Sequence, residues 1–245
     1  CQATASGMSA IFATIMTLLK PGEHMVASRC MFGTTIVLLN SIIKRFDIQI
    51  TFVDLKDLAA WEKSVQKNTK LFLLETPSNP LGEVVDIEKL AAISKKNNIV
   101  LAVDNCVMTP ALQKPLALGA DLVIHSATKY IDGQGRCLAG AIAGSGLLID
   151  EISSFTRSTG PTLSAFNAWI VLKGLETLKI RMDAHCKSAK KLATWLSDQS
   201  FIKKVHYVGL ENHPHHKIAK KQQTGFGGIV SFEVSGGREE AFHLI

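Results

Sequence analysis

Three short polar segments each follow a run of aliphatic residues, and together they contain a lysine and a carboxylate suited to one kind of chemistry. The segments are Glu75–Pro80, Asp104–Asn105 and His125–Lys129. Ligands of parallel sheets bind beyond the carboxyl ends of the strands, so we expect these segments to line one crevice. A lysine there can form a Schiff base, and an aspartate can keep a pyridinium nitrogen protonated. Lys129 and Asp104 therefore match the requirements of a pyridoxal phosphate site.

An ordinary ion pair or a loop cap is the alternative role for Asp104 and Lys129. Structural ion pairs also shift pKa values, so two such residues do not by themselves indicate catalysis. Their spacing in the sequence leaves both roles open.

A phosphate site is predicted where the first helix begins, at Ser6, Gly7 and Met8. The first N–H groups of a helix are free and its dipole favours an anion, while glycine permits a close approach. Ser126 and Thr128 can add hydroxyl donors. Serine is also a common N-cap residue, so Ser6 is equally consistent with a helix that binds no ligand.

Phe32 offers an aromatic ring that could stack on a cofactor, beside Gly33. A single phenylalanine at the start of a helix is also a common core residue. Stacking is therefore a hypothesis that needs the other site residues nearby.

Other catalytic and binding motifs are missing. The segment Gly133–Leu138 lacks the third glycine of GxGxxG, and neither GxxxxGK[ST] nor GxSxG occurs, which disfavours a nicotinamide oxidoreductase or a triad hydrolase. His213, His215 and His216 lie around a proline without neighbouring cysteines or carboxylates. We interpret them as a surface turn and predict no metal site.

Composition restricts the class of protein. Of 245 residues, 47% are hydrophobic and 20% charged, which is typical of a globular chain and not of a disordered one. The 27 basic and 21 acidic residues are scattered and aromatics make up only 7%, so we predict no nucleic-acid binding. Residues 1–19 are too polar for a membrane span, and no basic segment precedes them as in a signal peptide. Five dispersed cysteines favour a reducing, cytoplasmic location.

The elements that must position the site alternate between strands and helices, as in a mostly parallel α/β sheet. We predict strands at 71–74, 99–103 and 122–124, a helix at 86–96, and one long helix from Ser164 to about Ser197. Further strands at 203–208 and 228–234 and a helix from Gly237 predict a smaller α+β unit. We therefore expect a large domain at 1–185 and the start of a C-terminal domain at 186–245.

Taken together, these motifs resemble the Cys/Met-metabolism family of pyridoxal phosphate enzymes, which have the type I fold. The residues that carry this resemblance are Ser6–Met8, Glu75–Pro80, Ala102–Asn105 and His125–Tyr130. The segments Tyr130–Arg136, Ser158–Trp169 and Leu172–Leu178 look most like the O-succinylhomoserine sulfhydrylase branch.

The resemblance implies a role for each candidate residue. Lys129 would bind the cofactor covalently, Asp104 would pair with its ring nitrogen, and Phe32 would stack on the ring where many relatives have tyrosine. Asn79 would approach the ring oxygen. The phosphate would be held by four residues: Gly7, Met8, Ser126 and Thr128.

The implied reaction is γ-replacement, in which sulfide displaces the acyl group of O-succinylhomoserine or O-acetylhomoserine to give homocysteine. The substrates would be a small amino acid and sulfide, and the protein a homo-oligomer, either a dimer or a tetramer. Cystathionine γ- or β-lyase and cystathionine γ-synthase remain alternatives, as does a cofactor-binding chain without activity. That last alternative arises because the N-terminal arm and the substrate-binding arginine of relatives have no counterpart between Cys1 and Ile245.

Overall fold

The computed structural model describes residues 1–244, and most of its strands form one twisted sheet. The strands are β1 (Gln2–Thr4), β2 (His24–Ser28), β3 (Gln49–Val53), β4 (Thr69–Glu75), β5 (Val100–Asp104), β6 (Leu122–Ser126), β7 (Gly140–Gly144), β8 (Ile202–His206) and β9 (Ser231–Val234). The strands predicted at 71–74, 99–103 and 122–124 correspond to β4, β5 and β6.

The helices lie between these strands and extend the chain after β7. They are α1 (Gly7–Leu18), α2 (Gly33–Val37), α3 (Leu58–Lys63), α4 (Ile87–Lys96), α5 (Thr109–Leu112), α6 (Gly146–Thr159), α7 (Ala165–Glu176), α8 (Leu178–Ser197), α9 (His216–Gln222) and α10 (Arg238–Leu244). Shorter π and 3₁₀ turns occur at Leu38–Ile42, Ile43–Phe46 and Pro115–Leu118. No helix within residues 1–244 is both long enough and apolar enough to cross a bilayer.

The seven-stranded sheet has the order β1-β7-β6-β5-β4-β2-β3. Strands β2 to β6 run parallel to one another, while β7 is antiparallel to both β6 and β1. The predicted α/β class with a mostly parallel sheet is therefore confirmed. Because β4, β5 and β6 are neighbours, their carboxyl ends lie side by side.

Helices cover both faces of this sheet, which explains why its central strands are almost continuously apolar. Along β4, Leu71 and Leu73 pack on the face covered by α1 and α6, whereas Phe72 and Leu74 pack on the face covered by α3 and α4. This alternation follows from the two-residue period of a strand.

Helix α4 matches the helix predicted at 86–96. Asp86 is its N-cap, and its carboxylate accepts a hydrogen bond from the N–H of Lys89 at 3.1 Å. Ile87, Leu90 and Ala91 form its buried face. A capped amphipathic helix of this kind is recognisable from sequence because both signals are local.

The single helix predicted from Ser164 to about Ser197 is wrong, because the chain breaks at Thr177 into α7 and α8. The carbonyl of Gly174 accepts hydrogen bonds from the N–H of Thr177 and from the guanidinium of Arg181, at 3.4 and 2.7 Å. A Cβ at Gly174 would lie 2.2 Å from the carbonyl oxygen of Ile131. Packing against that distant loop places the break, so the local periodicity does not reveal it.

The predicted second α+β unit is present as an antiparallel pair, β8 and β9, with a turn at 213–216 between them. The final helix is α10, and Ile245 lies outside the described residues. Helix α8 continues without interruption through residue 186, so the predicted boundary falls inside a helix that joins the two units. The division at 185/186 stays a prediction.

The start of α1 packs against β7 at Gly140, a residue without a side chain. A Cβ at Gly140 in β7 would lie 2.2 Å from the carbonyl oxygen of Ser6 and 2.4 Å from Oγ1 of Thr4. Real Cβ atoms do not approach so closely, so a side chain there would displace the backbone between β1 and α1.

We therefore expect Gly140→Ala to lower the free energy of unfolding by about 1–3 kcal/mol, as other overpacking substitutions do. The measurement is urea unfolding followed by circular dichroism. Gly146→Ala is the matched control, because a Cβ at this position in the first turn of α6 would meet no atom within 4 Å. Equal stability of the two variants would contradict this account of the packing.

Candidate active site

A cavity of about 650 Å³ lies at the carboxyl edge of the sheet. Its lining includes every residue that the sequence analysis singled out as a site residue: Ser6, Gly7, Met8, Phe32, Asn79, Asp104, Ser126, Thr128 and Lys129. The fold thus brings together residues separated by up to 123 positions in the chain. The prediction that three strand-end segments share one crevice agrees with this placement.

Four polar residues of those segments do not line the cavity: Thr76, Ser78, Asn105 and His125. Asn105 is buried, and its side-chain amide donates to the carbonyls of Thr109 and Gln113 at 3.1 and 2.9 Å. His125 is also buried, and burial lowers its pKa to about 4, so the ring is neutral near pH 7. Both alternate along the chain with lining residues, Asp104 and Ser126, and therefore serve the packing of the sheet edge.

Strand register places the chemical groups of the cavity next to one another. Glu75 of β4 pairs with Asp104 of β5, and Ser126 of β6 pairs with Gly140 of β7. Adjacent strands are roughly 4.8 Å apart, so side chains at paired positions on one face are neighbours. The cavity floor therefore runs from two carboxyl groups to a hydroxyl.

Lys129 lies on a tight turn directly after β6. Its N–H donates to the carbonyl of Ser126 at 3.2 Å, and the two residues after it are held by Arg181 of α8. The guanidinium donates to the carbonyls of Tyr130 and Ile131 at 2.6 and 3.2 Å. Among residues 1–244, no carboxylate oxygen lies within 4.0 Å of Lys129 Nζ. The lysine is fixed by its backbone while its amine keeps no ion-pair partner.

Asp104 is not paired with that lysine, so the ion-pair alternative is not what the structure contains. Its Oδ1 accepts a hydrogen bond from the N–H of Cys106 at 2.9 Å, which caps the turn after β5. Burial of the carboxyl raises the pKa of Asp104, because an ion loses hydration there. A cationic group in the cavity would stabilise its charged form.

Glu75 is a second buried carboxyl, named in the strand-end segment but not among the predicted site residues. Burial, and next the charge of Asp104, raise the pKa of Glu75, whereas backbone N–H groups of Phe32 and Asn79 lower it. Its Oε2 accepts from the N–H of Phe32 at 2.7 Å. Glu75 thus connects the loop that carries Phe32 to β4, and it lies beside Asp104 of β5. Both contacts join residues far apart in the chain, so the sequence alone did not predict them.

The N-terminus of α1 faces Ser126 across a contact that requires glycine. A Cβ at Gly7 would lie 2.6 Å from the Cβ of Ser126, so the helix end and the strand end touch through backbone. The hydroxyl of Ser6 caps the helix by accepting from the N–H of Ser9 at 3.1 Å. This leaves a cradle of backbone N–H groups and the Ser126 hydroxyl that suits an anion.

Thr128 lines the same cradle, but its hydroxyl is already engaged. It donates to the carbonyl of Ala139 at 3.1 Å and accepts from the N–H of Ala139 at 3.0 Å. Its one proton is therefore used, and Thr128 could donate to an anion only by giving up the bond to the carbonyl.

Phe32 and Asn79 lie at the opening of the cavity. Phe32 precedes α2 and is 47% exposed, so its ring is not part of the core and is available for stacking. Asn79 is exposed on the loop after β4. Exposure of a large aromatic ring beside a cavity favours the stacking hypothesis over the core alternative.

Other lining residues were not predicted as site residues, and they come from distant parts of the chain. Cys106, Tyr130, His185 and Ile229 line the cavity, and the rings of Tyr130 and His185 are 5.1 Å apart. Burial raises the pKa of Cys106 to about 12, so its thiol is protonated and a poor nucleophile. The positions of His185 and Ile229 depend on how the second unit folds back onto the sheet, and no local sequence pattern predicts that.

Comparison with known proteins identifies the family. The family model for the Cys/Met metabolism PLP-dependent enzyme matches residues 1–245. This chain belongs to that family. It is 58% identical over 243 residues to the O-succinylhomoserine sulfhydrylase of Pseudomonas aeruginosa, covering 99% of this chain and 60% of the relative. It is 44% identical to the L-methionine gamma-lyase of Fusobacterium nucleatum subsp. polymorphum, covering 99% of this chain and 62% of the relative.

A solved structure supports the same assignment. The crystal structure of metB from Corynebacterium glutamicum superimposes with a TM-score of 0.95 at 38% identity, covering 98% of this chain and 63% of that one. The resemblance and the fold expected from the sequence are therefore confirmed. The chain spans about 60% of the length of the curated relatives it matches.

The cavity has the features that pyridoxal phosphate, the cofactor of the family, needs. The Gly7 cradle fits a phosphate, the unpaired amine of Lys129 fits the aldehyde carbon, and the buried Asp104 carboxyl fits a cationic ring nitrogen. Within residues 1–244 no group of three or more histidine, cysteine, aspartate or glutamate side chains could hold a metal ion.

The raised pKa of Glu75 predicts a dependence of stability on pH. Above the ordinary pKa of glutamic acid the folded chain holds a proton that the unfolded chain has lost, so the free energy of unfolding falls as pH rises. We expect a slope of up to about 1.4 kcal/mol per pH unit over roughly pH 5 to 8. Glu75→Gln should flatten this slope, because an amide does not titrate and its oxygen can still accept from Phe32.

The check is urea unfolding of the cofactor-free protein at several pH values. Asp104, whose pKa is raised in the same direction, retains part of the slope in the Glu75→Gln variant. Glu151→Gln, at an exposed position on α6, is the matched control and should keep the full slope. An unchanged slope in Glu75→Gln would contradict the assignment of the extra proton to Glu75.

A second prediction concerns the cradle. Gly7→Ala should weaken pyridoxal phosphate binding roughly tenfold or more, because the helix end must move away from Ser126 at a cost of about 1–3 kcal/mol. Gly33→Ala, the first residue of α2, is the control, since a Cβ there meets no atom within 4 Å. Absorbance titration with the cofactor measures the dissociation constant of each variant. Equal affinities would refute the hypothesis that the backbone at Gly7 binds the phosphate.

Proposed function

We propose that the protein catalyses γ-replacement on an acylated homoserine, in which O-succinylhomoserine or O-acetylhomoserine reacts with sulfide to give homocysteine and the free acid. The observation that carries the proposal is the amine of Lys129, free of any carboxylate partner in residues 1–244, in one cavity with the buried Asp104 carboxyl. The 58% identity to an O-succinylhomoserine sulfhydrylase favours replacement by sulfide over the other reactions of the family.

The two principal residues have separate tasks in this proposal. Pyridoxal phosphate, when bound, supplies a cationic ring that withdraws electrons from the substrate's Cα. Asp104 would keep the ring nitrogen protonated through its carboxylate. Lys129 would hold the cofactor through Nζ, and its amine, when free, would remove and return protons at the substrate's Cα and Cβ.

Bond changes at the substrate balance without an oxidant. The Cγ–O bond to the acyl group breaks and its electron pair leaves with the carboxylate product. Sulfide then forms a bond to Cγ, and the protons taken from Cα and Cβ are returned by the lysine amine. The net reaction exchanges succinate or acetate for a thiol.

The remaining site residues would bind and orient the cofactor. The backbone of Gly7 and Met8 and the hydroxyls of Ser126 and Thr128 would hold the phosphate, with Ser6 capping the helix that presents them. Phe32 would stack on the ring, and Asn79 would approach the ring oxygen. The hydrogen bond from Phe32 to Glu75 supports this task because it fixes the backbone of the stacking residue.

Elimination is the alternative reaction. Proton transfer by the same lysine could lead to ammonia and a keto acid instead of a sulfide adduct, and the 44% identity to an L-methionine gamma-lyase makes elimination the second candidate. Cystathionine lyases, cystathionine γ-synthase and a cofactor-binding chain without turnover are the further possibilities that the sequence left open. Product analysis separates them.

We further propose a cytoplasmic homo-oligomer with a large domain at 1–185. Helix α7 supports association, since Phe166, Trp169 and Leu172 are 68%, 56% and 56% exposed on it. Exposed apolar groups that recur at three-residue intervals are typical of a helix face that packs on another chain.

The test incubates the cofactor-loaded protein with O-succinylhomoserine and sulfide and quantifies homocysteine, ammonia and keto acids. We expect homocysteine as the main product, with Lys129→Ala at least about 10³-fold slower because proton transfer and covalent binding are both lost. Lys114→Ala, a lysine outside the cavity, is the matched control and should retain wild-type turnover.

Three outcomes would count against the proposal. Ammonia and a keto acid as main products would identify a lyase. Cofactor absorbance without any turnover would favour the inactive chain. Undiminished turnover by Lys129→Ala would mean that the site is elsewhere.

A further inference from the structure

A second cavity, of about 530 Å³, lies where the second unit meets the loop after β4. It shares no lining residue with the cavity of Lys129. Its polar side chains include Lys56, Glu83, Lys204, His206, His213 and His215. The sequence analysis interpreted the histidine turn as an ordinary surface loop, and the structure places it against this cavity.

Backbone hydrogen bonds define the protonation of two of these histidines. Nδ1 of His213 accepts from the N–H of His215 at 3.2 Å, and Nδ1 of His215 accepts from the N–H of Val84 at 3.1 Å. A neutral imidazole that accepts at Nδ1 carries its hydrogen on Nε2. Both rings, with centroids 5.4 Å apart, therefore present N–H donors and not lone pairs.

This protonation argues against a metal ion. A histidine ligand binds a metal through a nitrogen lone pair, and Nδ1 of each ring is already engaged while Nε2 carries hydrogen. Donor groups of this kind are suited to oxygen acceptors, and an anion provides the strongest acceptor.

The charges around the cavity leave one ammonium group available. Lys56 pairs with Glu83 at 2.5 Å and approaches Asp54 at 4.0 Å, while Lys203 and His206 pair with Glu233 at 3.7 and 2.9 Å. Within the described part of the chain, Lys204 has no carboxylate oxygen within 4.0 Å. Burial first, and then the neighbouring basic groups His215, His206 and Lys204, lower the pKa of His213 to about 4, which reflects an excess of positive groups around this ring.

We propose that this second cavity binds a small tetrahedral oxyanion, a phosphate group free or esterified, through the Nε2–H donors of His213 and His215 and the ammonium of Lys204. Two neutral donors in fixed orientation provide hydrogen bonds at little cost in side-chain entropy. The single ammonium provides the charge, and Glu83, the one carboxylate in the lining, is neutralised by its ion pair with Lys56. The site is independent of the γ-replacement proposal because the two linings do not overlap.

The test is a titration of the cofactor-loaded protein with inorganic phosphate, followed by NMR of ¹⁵N-labelled histidine rings at constant pH and ionic strength. We expect saturable shifts of the His213 and His215 resonances with one common dissociation constant. Glycerol phosphate in a parallel titration distinguishes a phosphate ester from the free ion, since the tighter ligand indicates the source. The readout is local, so the activity of the Lys129 site does not affect it.

Variants make the result specific. Lys204→Ala should weaken binding roughly two- to fivefold, as expected for one exposed charge, without risk to the fold. Lys191→Ala on α8, an exposed lysine outside the cavity, should leave the dissociation constant unchanged. His213→Gln should retain binding, since its amide can replace the Nε2–H donor, whereas His213→Leu should lose it roughly tenfold.

Several results would overturn the proposal. These are equal shifts with sodium chloride, linear shifts without saturation, or a Lys204→Ala variant as strong as the wild type. Saturable shifts of both rings with Zn²⁺ and none with phosphate would replace it with a metal site.

Discussion

Absence of a side chain at Gly140 and Gly7 governs the geometry of the whole site. The backbone between β1 and α1 passes over Gly140, where a Cβ would come within 2.2 Å of the Ser6 carbonyl. Gly7, the residue after Ser6, contacts Ser126 so closely that a methyl group would not fit between them. These contacts hold the positive end of α1 against the ends of β6 and β7, and the cavity exists because the helix begins there.

The electrostatics of the cavity follow from burial. Glu75 and Asp104 lie on adjacent parallel strands and lose hydration there, which raises the pKa of each carboxyl. A buried carboxyl pair is unfavourable unless a proton or a cation compensates it. Lys129 does not do so, since its amine has no carboxylate partner within residues 1–244. The arrangement thus leaves the Lys129 amine unpaired. It also leaves buried carboxyl groups that a cationic ring could compensate.

The second unit is tied to the sheet by polar contacts, one of which involves His215 in the lining of the second cavity. Val84 donates to His215, and the N–H of Ile87 donates to the side chain of Gln222 at 3.3 Å. Gln223 donates to Gln113 at 2.8 Å beneath the turn after β5. Such bonds between distant segments determine which nitrogen of a histidine carries hydrogen, and hence whether the turn presents donors or lone pairs.

Local patterns in the sequence determined the elements and the chemistry of this protein. The apolar runs of β4, β5 and β6, the capped periodicity of α4 and the residue types Lys129 and Asp104 were readable because each signal lies within a few neighbouring residues. Only the tertiary structure decided the rest: that Asp104 and Lys129 do not pair, that Glu75 joins the site, that Thr128 is already engaged, and that the helix breaks at Thr177. The reason is physical, since each of these depends on strand register or on close contacts, such as Gly174 against Ile131, between residues far apart in the chain.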